Sequence, residues 1–216
     1  MKKVALFDVD GVLLDLHEAM FSQCSSFFQK AIDKNEYVQM VRNYDKNTKL
    51  YSDFGLYFMQ SKHFECIPAF AGMAQMLKTL KEDNFDLIII SACPNEDKIR
   101  TARLKNLNDC FGDVFTAIHL TGSTNKKELI AHYAHQYDIS FFCDDRPANV
   151  QQSIGLVNYP IWKHNLFLLP HLTEEIKKDI FIAQTPEDIL KIIQTPCVCS
   201  HNRMVHLSYK TNRQKD

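Results

Sequence analysis

The chain has 216 residues, of which 45% are hydrophobic and 24% charged, and its formal net charge is -1. These values describe an ordinary globular protein, one domain or one domain with an insertion, large enough to bury a full core. They exclude broad attraction to nucleic acid or to a membrane surface and leave room only for a local basic patch.

The first element is a short apolar strand, Val4–Phe7, which runs directly into Asp8, Asp10 and Gly11. Two like charges at the end of a buried strand cost free energy unless a positive group sits between them. The charged start Met1-Lys2-Lys3 and these early aspartates do not fit a signal peptide, so none is expected. No apolar run approaches the roughly 20 residues of a membrane span. From about Leu16 to Cys66 the chain shows helical patterns and no convincing strand. This stretch is expected to be a helical insertion, residues 16–66, in an α/β core formed by residues 1–15 and 67–196. Tyr51, Phe54, Tyr57 and Phe58 have helical spacing within it. They are read as a hydrophobic face, with a base-stacking pocket as the alternative.

Strands and helices then alternate. Gly72–Asp83 places Met73, Met76, Leu77 and Leu80 on one helix face. Asp86–Ile90 is the second strand, followed by a helix from Asn95 to about Asn106 with its acids early and its bases late. Val114–Leu120 is the third strand, Lys126–Tyr137 a helix, Ile139–Cys143 the fourth strand, Pro147–Ile154 a helix and Val157–Trp162 a weaker strand. Thr185-Pro186-Glu187-Asp188 starts a last helix that continues through Ile193. Strands apolar on both faces, separated by helices, predict an α/β fold with a doubly wound parallel sheet. Residues 197–216 are polar and basic and are expected to form a flexible tail. The seven scattered cysteines fit reduced thiols in the cytoplasm. Cys197, Cys199 and His201 lack a second ligand pair with zinc-site spacing.

In an open parallel sheet, ligands bind beyond the carboxyl ends of the strands. There the successive strands deliver Asp8 and Asp10, then Ser91, then Thr121 to Lys127, then Asp144, Asp145 and Arg146. Clustered carboxylates suit Mg²⁺, a hydroxyl and a lysine suit phosphate, and an aspartate can attack phosphorus to form an acyl phosphate. Lys126 and Lys127 at a helix start have the wrong sign for that terminus, which makes sense beside an anionic partner. His17 is read either at the site entrance or as packing for the insertion, and Arg146 either as a salt-bridge partner or as a substrate clamp.

The segments FDVDGV (7–12), IIISA (88–92), Lys126 ahead of a helix, and FFCDDRPANV (141–150) together resemble the four motifs of the haloacid dehalogenase-like hydrolase superfamily. The resemblance runs from Val4 to about Ile193. It implies a Rossmann-like sheet of strand order 5-4-1-2-3, with residues 16–66 as a helical cap. It also implies Mg²⁺-dependent hydrolysis of phosphate monoesters through an aspartyl phosphate. Carried over residue by residue, Asp8 takes the nucleophile position and binds metal. Asp10 takes the general acid/base position and offers its carbonyl to the metal, while Ser91 and Ala92 bind phosphate. Lys126 takes the lysine position, with Lys127 as the alternative. Asp145 takes the direct metal-ligand position and Asp144 binds behind it or through water.

Asp10 argues against a dehalogenase, which lacks that second acid. A phosphomutase keeps it and stays open, as does a catalytically silent phosphate- or protein-binding member. The stretch 141–162 resembles the fourth-motif region of deoxyribonucleotidases and of polynucleotide 3′-phosphatase domains. A small phosphorylated substrate is therefore expected, a nucleotide first and a sugar phosphate as the main rival, with no extended nucleic-acid surface.

Overall fold

The continuous apolar runs become the strands of one parallel sheet. The structure, a computed structural model, describes residues 3–42, 48–164 and 178–195. The strands are β1 (Lys3–Phe7), β2 (Phe85–Ser91), β3 (Ala117–Leu120), β4 (Ile139–Asp144), β5 (Tyr159–Lys163) and β6 (Phe181–Ala183). They lie in the order β3-β2-β1-β4-β5-β6, each parallel to its neighbours. The first five stand in the order expected from the sequence. β6 is an addition at the β5 edge, where Phe181 pairs with Ile161; three residues are too short a pattern to mark a strand alone. β3 starts at Ala117 instead of Val114: its pairing with β2 begins at Ala117 beside Ile88, while Val114 and Phe115 pack against the core from the loop before it.

Alternate residues of a strand feed opposite faces of the sheet. Ala5, Phe7, Leu87, Ile89 and Phe141 join one buried cluster, while Val4, Leu6, Ile88, Ile90 and Phe142 join the other. Both faces are covered, which is why these runs show no polar alternation.

Between β1 and β2 the chain forms α1 (Leu16–Phe28), α2 (Lys34–Arg42), α3 (Thr48–Met59), a 3-10 turn (Lys62–Cys66) and α4 (Met73–Glu82). Tyr37, Phe54, Phe58 and Phe64 are buried and continuous with the larger sheet cluster. Phe27 packs edge-on or tilted against Phe28, Phe54 and Tyr57. Phe54 and Phe58 therefore serve as core for the helical unit, Tyr57 stays exposed, and the side chain of Tyr51 lies outside the described residues.

The two passages joining this unit to the sheet run side by side. The Asp15 amide donates to the Pro68 carbonyl at 2.8 Å and the Phe70 amide to the Leu13 carbonyl at 3.0 Å. Leu14 and Ala69 form an antiparallel bridge between them. Lys163 braces the crossing from β5: its Nζ donates to the Gly11 carbonyl at 3.2 Å and stands 3.5 Å from the Phe70 ring centroid. Burial lowers the pKa of Lys163, and the ring face and the carbonyl offset part of that penalty.

The remaining helices are α5 (Asp97–Phe111), α6 (Lys127–Gln136), α7 (Pro147–Gln152) and α8 (Pro186–Gln194). α8 opens with the capping box legible in its sequence: the Thr185 hydroxyl accepts the Asp188 amide while the Asp188 carboxylate accepts the Thr185 amide. The expected tail, with Cys197, Cys199 and His201, lies outside the described residues. Among the described residues no helix is long and apolar enough to cross a membrane.

Candidate active site

Parallel strands end at a common edge, and the polar residues that follow them meet there. Asp8 follows β1, Ser91 ends β2, Lys126 stands at the head of α6, and Asp144 and Asp145 close β4; all five are buried. Lys126 Nζ is 2.8 Å from Asp8 Oδ1 and 2.6 Å from Asp144 Oδ2. Carboxylate oxygens of Asp8, Asp144 and Asp145 lie within 4.8 Å of one another. Lys127 is exposed, so of the two lysines Lys126 is the one that reaches the acids. Its amide and that of Lys127 both donate to Gln152 Oε1, which satisfies two donors at the start of α6.

The neighbouring acids of β4 are held differently. Asp144 Oδ1 accepts the Arg146 amide at 2.8 Å, and Asn149 Nδ2 donates to both of its oxygens at 3.1 and 3.0 Å. With Lys126 added, both Asp144 oxygens are engaged. Asp145 lines a cavity instead, and Trp162 Nε1 fixes its backbone by donating to its carbonyl at 2.9 Å. Gly11 passes directly beneath that carboxylate. Its φ is +75°, and a Cβ added there would stand 2.1 Å from Asp145 Oδ2. The glycine is thus required by conformation and by the approach of Asp145.

The cavity has a volume of about 520 Å³. The sheet edge contributes Asp8, Asp10, Ser91, Ala92 and Asp145, so every expected site residue except Lys126 and Asp144 lines it. Those two stand behind Asp8. Arg146 is exposed at the cavity wall. From α3 come Ser52, Gly55 and Met59, one helix face, while Phe54 and Phe58 do not line the cavity. His17 joins both expected roles: it lines the cavity, and its Nδ1 lies 3.1 Å from the Tyr37 hydroxyl. Burial lowers its pKa to about 4.

Of the charged residues that line the cavity, one went unmarked in the sequence. Arg103 of α5 is fully buried, and its Nη2 donates to Asp10 Oδ1 at 2.6 Å. Its guanidinium carbon lies 4.3 Å from the Phe64 ring centroid. Lys98, Arg100 and Lys105 surround it in sequence and give α5 the look of a solvated basic face. Helical phase would have found it: Ile99, Ala102, Arg103, Asn106 and Leu107 form one buried stripe.

Burial raises the pKa of Asp10, and Arg103 opposes that rise. Burial likewise raises Asp144 and Asp145, with Asp8 adding to the first and Asp144 to the second. Burial works against the Lys126 charge, but Asp8 and Asp144 prevail and its pKa is raised. Asp10 and Arg103 neutralise each other, whereas Asp8, Asp144 and Asp145 face the single Lys126. With all three acids ionised, two negative charges remain, carried by oxygen donors alone. That deficit and that donor set fit a hard divalent cation such as Mg²⁺.

The profile of a family described as haloacid dehalogenase-like hydrolase matches residues 5–140, more than half of the chain. The chain belongs to the haloacid dehalogenase-like hydrolases. Solved structures with the hydrolase's fold align over nearly its whole length. A protein of Clostridium acetobutylicum described as a predicted phosphatase shares 16% identity at a TM-score of 0.62, over 90% of this chain and 99% of its own. A dehalogenase shares 12% at 0.54, over 88% and 96%. The hydrolase YfnB of Bacillus subtilis, solved with magnesium bound, shares 13% at 0.59, over 89% and 98%. At such identities the likeness is one of fold. No curated protein matches the hydrolase in sequence.

Proposed function

We propose that this hydrolase removes phosphate from small phosphate monoesters with Mg²⁺ bound, through an aspartyl phosphate on Asp8. The observation that carries this is the arrangement around Lys126: a buried ammonium bridging Asp8 and Asp144 beside Asp145, at the end of a cavity that also presents Asp10. Asp8, Asp145 and the Asp10 carbonyl are the residues to hold Mg²⁺, with Asp144, its oxygens already engaged, behind them. The bound ion supplies the missing positive charge against a phosphoryl group in transfer.

The chain's own residues do the rest. An Asp8 carboxylate oxygen attacks phosphorus as the ester P–O bond breaks. Asp10 gives its proton to the departing oxygen, then takes one from the water that attacks the acyl phosphate. Inorganic phosphate leaves and Asp8 is regenerated. The Ser91 hydroxyl and the Ala92 amide bind the non-bridging oxygens, and Lys126, behind Asp8, lends its positive charge to the same group. Asp10 favours this chemistry over dehalogenation, because a halide leaves without needing a proton. Among the described lining residues Phe64 is the sole phenyl ring, and it already stacks on Arg103. That favours a sugar phosphate over a nucleotide held by base stacking.

Hydrolysis of p-nitrophenyl phosphate with and without Mg²⁺, followed by a panel of sugar phosphates and nucleotides, tests the assignment. Activity that requires Mg²⁺ is expected. Protein that binds Mg²⁺ yet turns over no monoester would be a silent member of the fold, and the proposal would fall.

A further inference from the structure

A buried guanidinium normally has its five donors satisfied, since each unpaired donor forfeits its solvation. Arg103 departs from that. Among the described residues its Nε and Nη1, both buried, have no hydrogen-bond partner. Its short bond is the 2.6 Å contact from Nη2 to Asp10 Oδ1, across 93 positions of sequence. The cation–π contact with Phe64 covers one guanidinium face and comes from the turn that ends the helical unit. An arginine kept only to knit α5 to its surroundings would spread its donors over several carbonyls. The charge-assisted bond of this one goes to a single carboxylate, with the Cys93 thiol beside it, and that carboxylate keeps 28% of its side chain exposed and lines the cavity.

We propose that Arg103 is the positioning residue for Asp10. It holds Oδ1, which fixes the plane of the carboxyl group and leaves Oδ2 as the oxygen that exchanges a proton with the leaving group. Arg103 keeps all its protons throughout: in the first step one proton passes from Asp10 Oδ2 to the ester oxygen, while Nη2 goes on donating to Oδ1. The assignment rests on the acid/base role of Asp10 proposed above. It also gives α5, which lies outside the motif segments, a share in the chemistry.

The test is the dependence on the leaving group. p-Nitrophenolate departs unaided, whereas an alkoxide needs the proton. Arg103→Met is expected to lower kcat/KM about 100-fold for glycerol phosphate and less than about 5-fold for p-nitrophenyl phosphate, the span expected of a misplaced general acid. In an Asp10→Asn background the same change is expected to cost nothing further on glycerol phosphate. Should Arg103→Met fail to fold, Arg103→Lys keeps the cation without the planar fork and is expected to show the same skew at about 10-fold. Equal losses on the two esters, or losses that add to those of Asp10→Asn, would overturn the assignment. Wild-type protein inactive on both esters would instead remove the phosphatase proposal beneath it.

Discussion

Replacing Gly11 by alanine asks two separate things of the turn after β1. The first is conformational: φ is +75° there, and an L-residue in the left-handed region costs about 1–2 kcal/mol. The second is steric. The new Cβ would stand 2.1 Å from Asp145 Oδ2, 2.6 Å from its Cγ and 3.0 Å from its Cβ, where ordinary contact begins at 3.4 Å. The carboxylate has to retreat by more than 1 Å, far beyond the roughly 0.2 Å tolerance of a metal–ligand distance. Gly155 separates the two effects: its φ is +78°, and an added Cβ would meet nothing within 4 Å. Urea unfolding is therefore expected to show a loss of about 1–2 kcal/mol in Gly155→Ala and a larger one in Gly11→Ala, where displacing the buried carboxylate adds its own cost. Calorimetric titration with Mg²⁺ is expected to leave Gly155→Ala at wild-type affinity and to weaken Gly11→Ala by about 10–100-fold, the usual effect of disturbing what orients a ligand. If Gly11→Ala binds Mg²⁺ as tightly as Gly155→Ala, Asp145 does not hold the ion from where it stands, and the choice between the two acids of β4 is mistaken.

Other perturbations test other parts of the site. Lys126→Met strands Asp8 and Asp144 without their buried cation, so at neutral pH stability should drop by about 3–5 kcal/mol and recover partly on adding Mg²⁺, as read by thermal unfolding. Asp8→Asn should abolish turnover and phosphoenzyme formation, because an amide is a poor nucleophile; substantial residual hydrolysis would exclude the covalent route. His17 is held neutral in the fold with its pKa down at about 4, against 6.5 ordinarily. Its contribution is complete above about pH 6.5 and is lost as pH falls toward 4, by about 3 kcal/mol in all. His17→Gln should therefore flatten the stability profile between those limits, measured by urea unfolding at pH 4.5 and 7.5.

The parts of this molecule that are legible in its sequence are those fixed by local rules. Unbroken apolar runs such as Leu87–Ile90 announce strands covered on both sides, and the box at Thr185–Asp188 announces α8. The acids and Ser91 are legible because each follows a strand, which places them at one edge whatever the loops do. Lys126 and Lys127 are adjacent in sequence, and burial separates them, something a one-dimensional pattern does not contain. β6 exists through its partner β5 and has little pattern of its own. Helical spacing marks the α3 aromatics as a hydrophobic face, and Phe54 and Phe58 are buried accordingly; that Tyr57 stays exposed and that Gly55 and Met59 line the cavity is decided by packing. Arg103 was hidden for the opposite reason, a charge on a buried stripe.

The paired crossing at Asp15 and Pro68 has a consequence for how such a chain is put together. The backbone leaves the sheet and re-enters it at points joined by a 2.8 Å hydrogen bond. Everything between them is a detour whose ends already touch. The splice itself asks little of the detour's length, since its ends are closed before the detour begins. Lys163 and Phe70 lock the splice from the host side. What ties the helical unit to its host beyond the splice is packing: its buried Phe54, Phe58 and Phe64 belong to the same cluster as the sheet, and Phe64 lies against Arg103, so an exchanged segment has to rebuild those contacts.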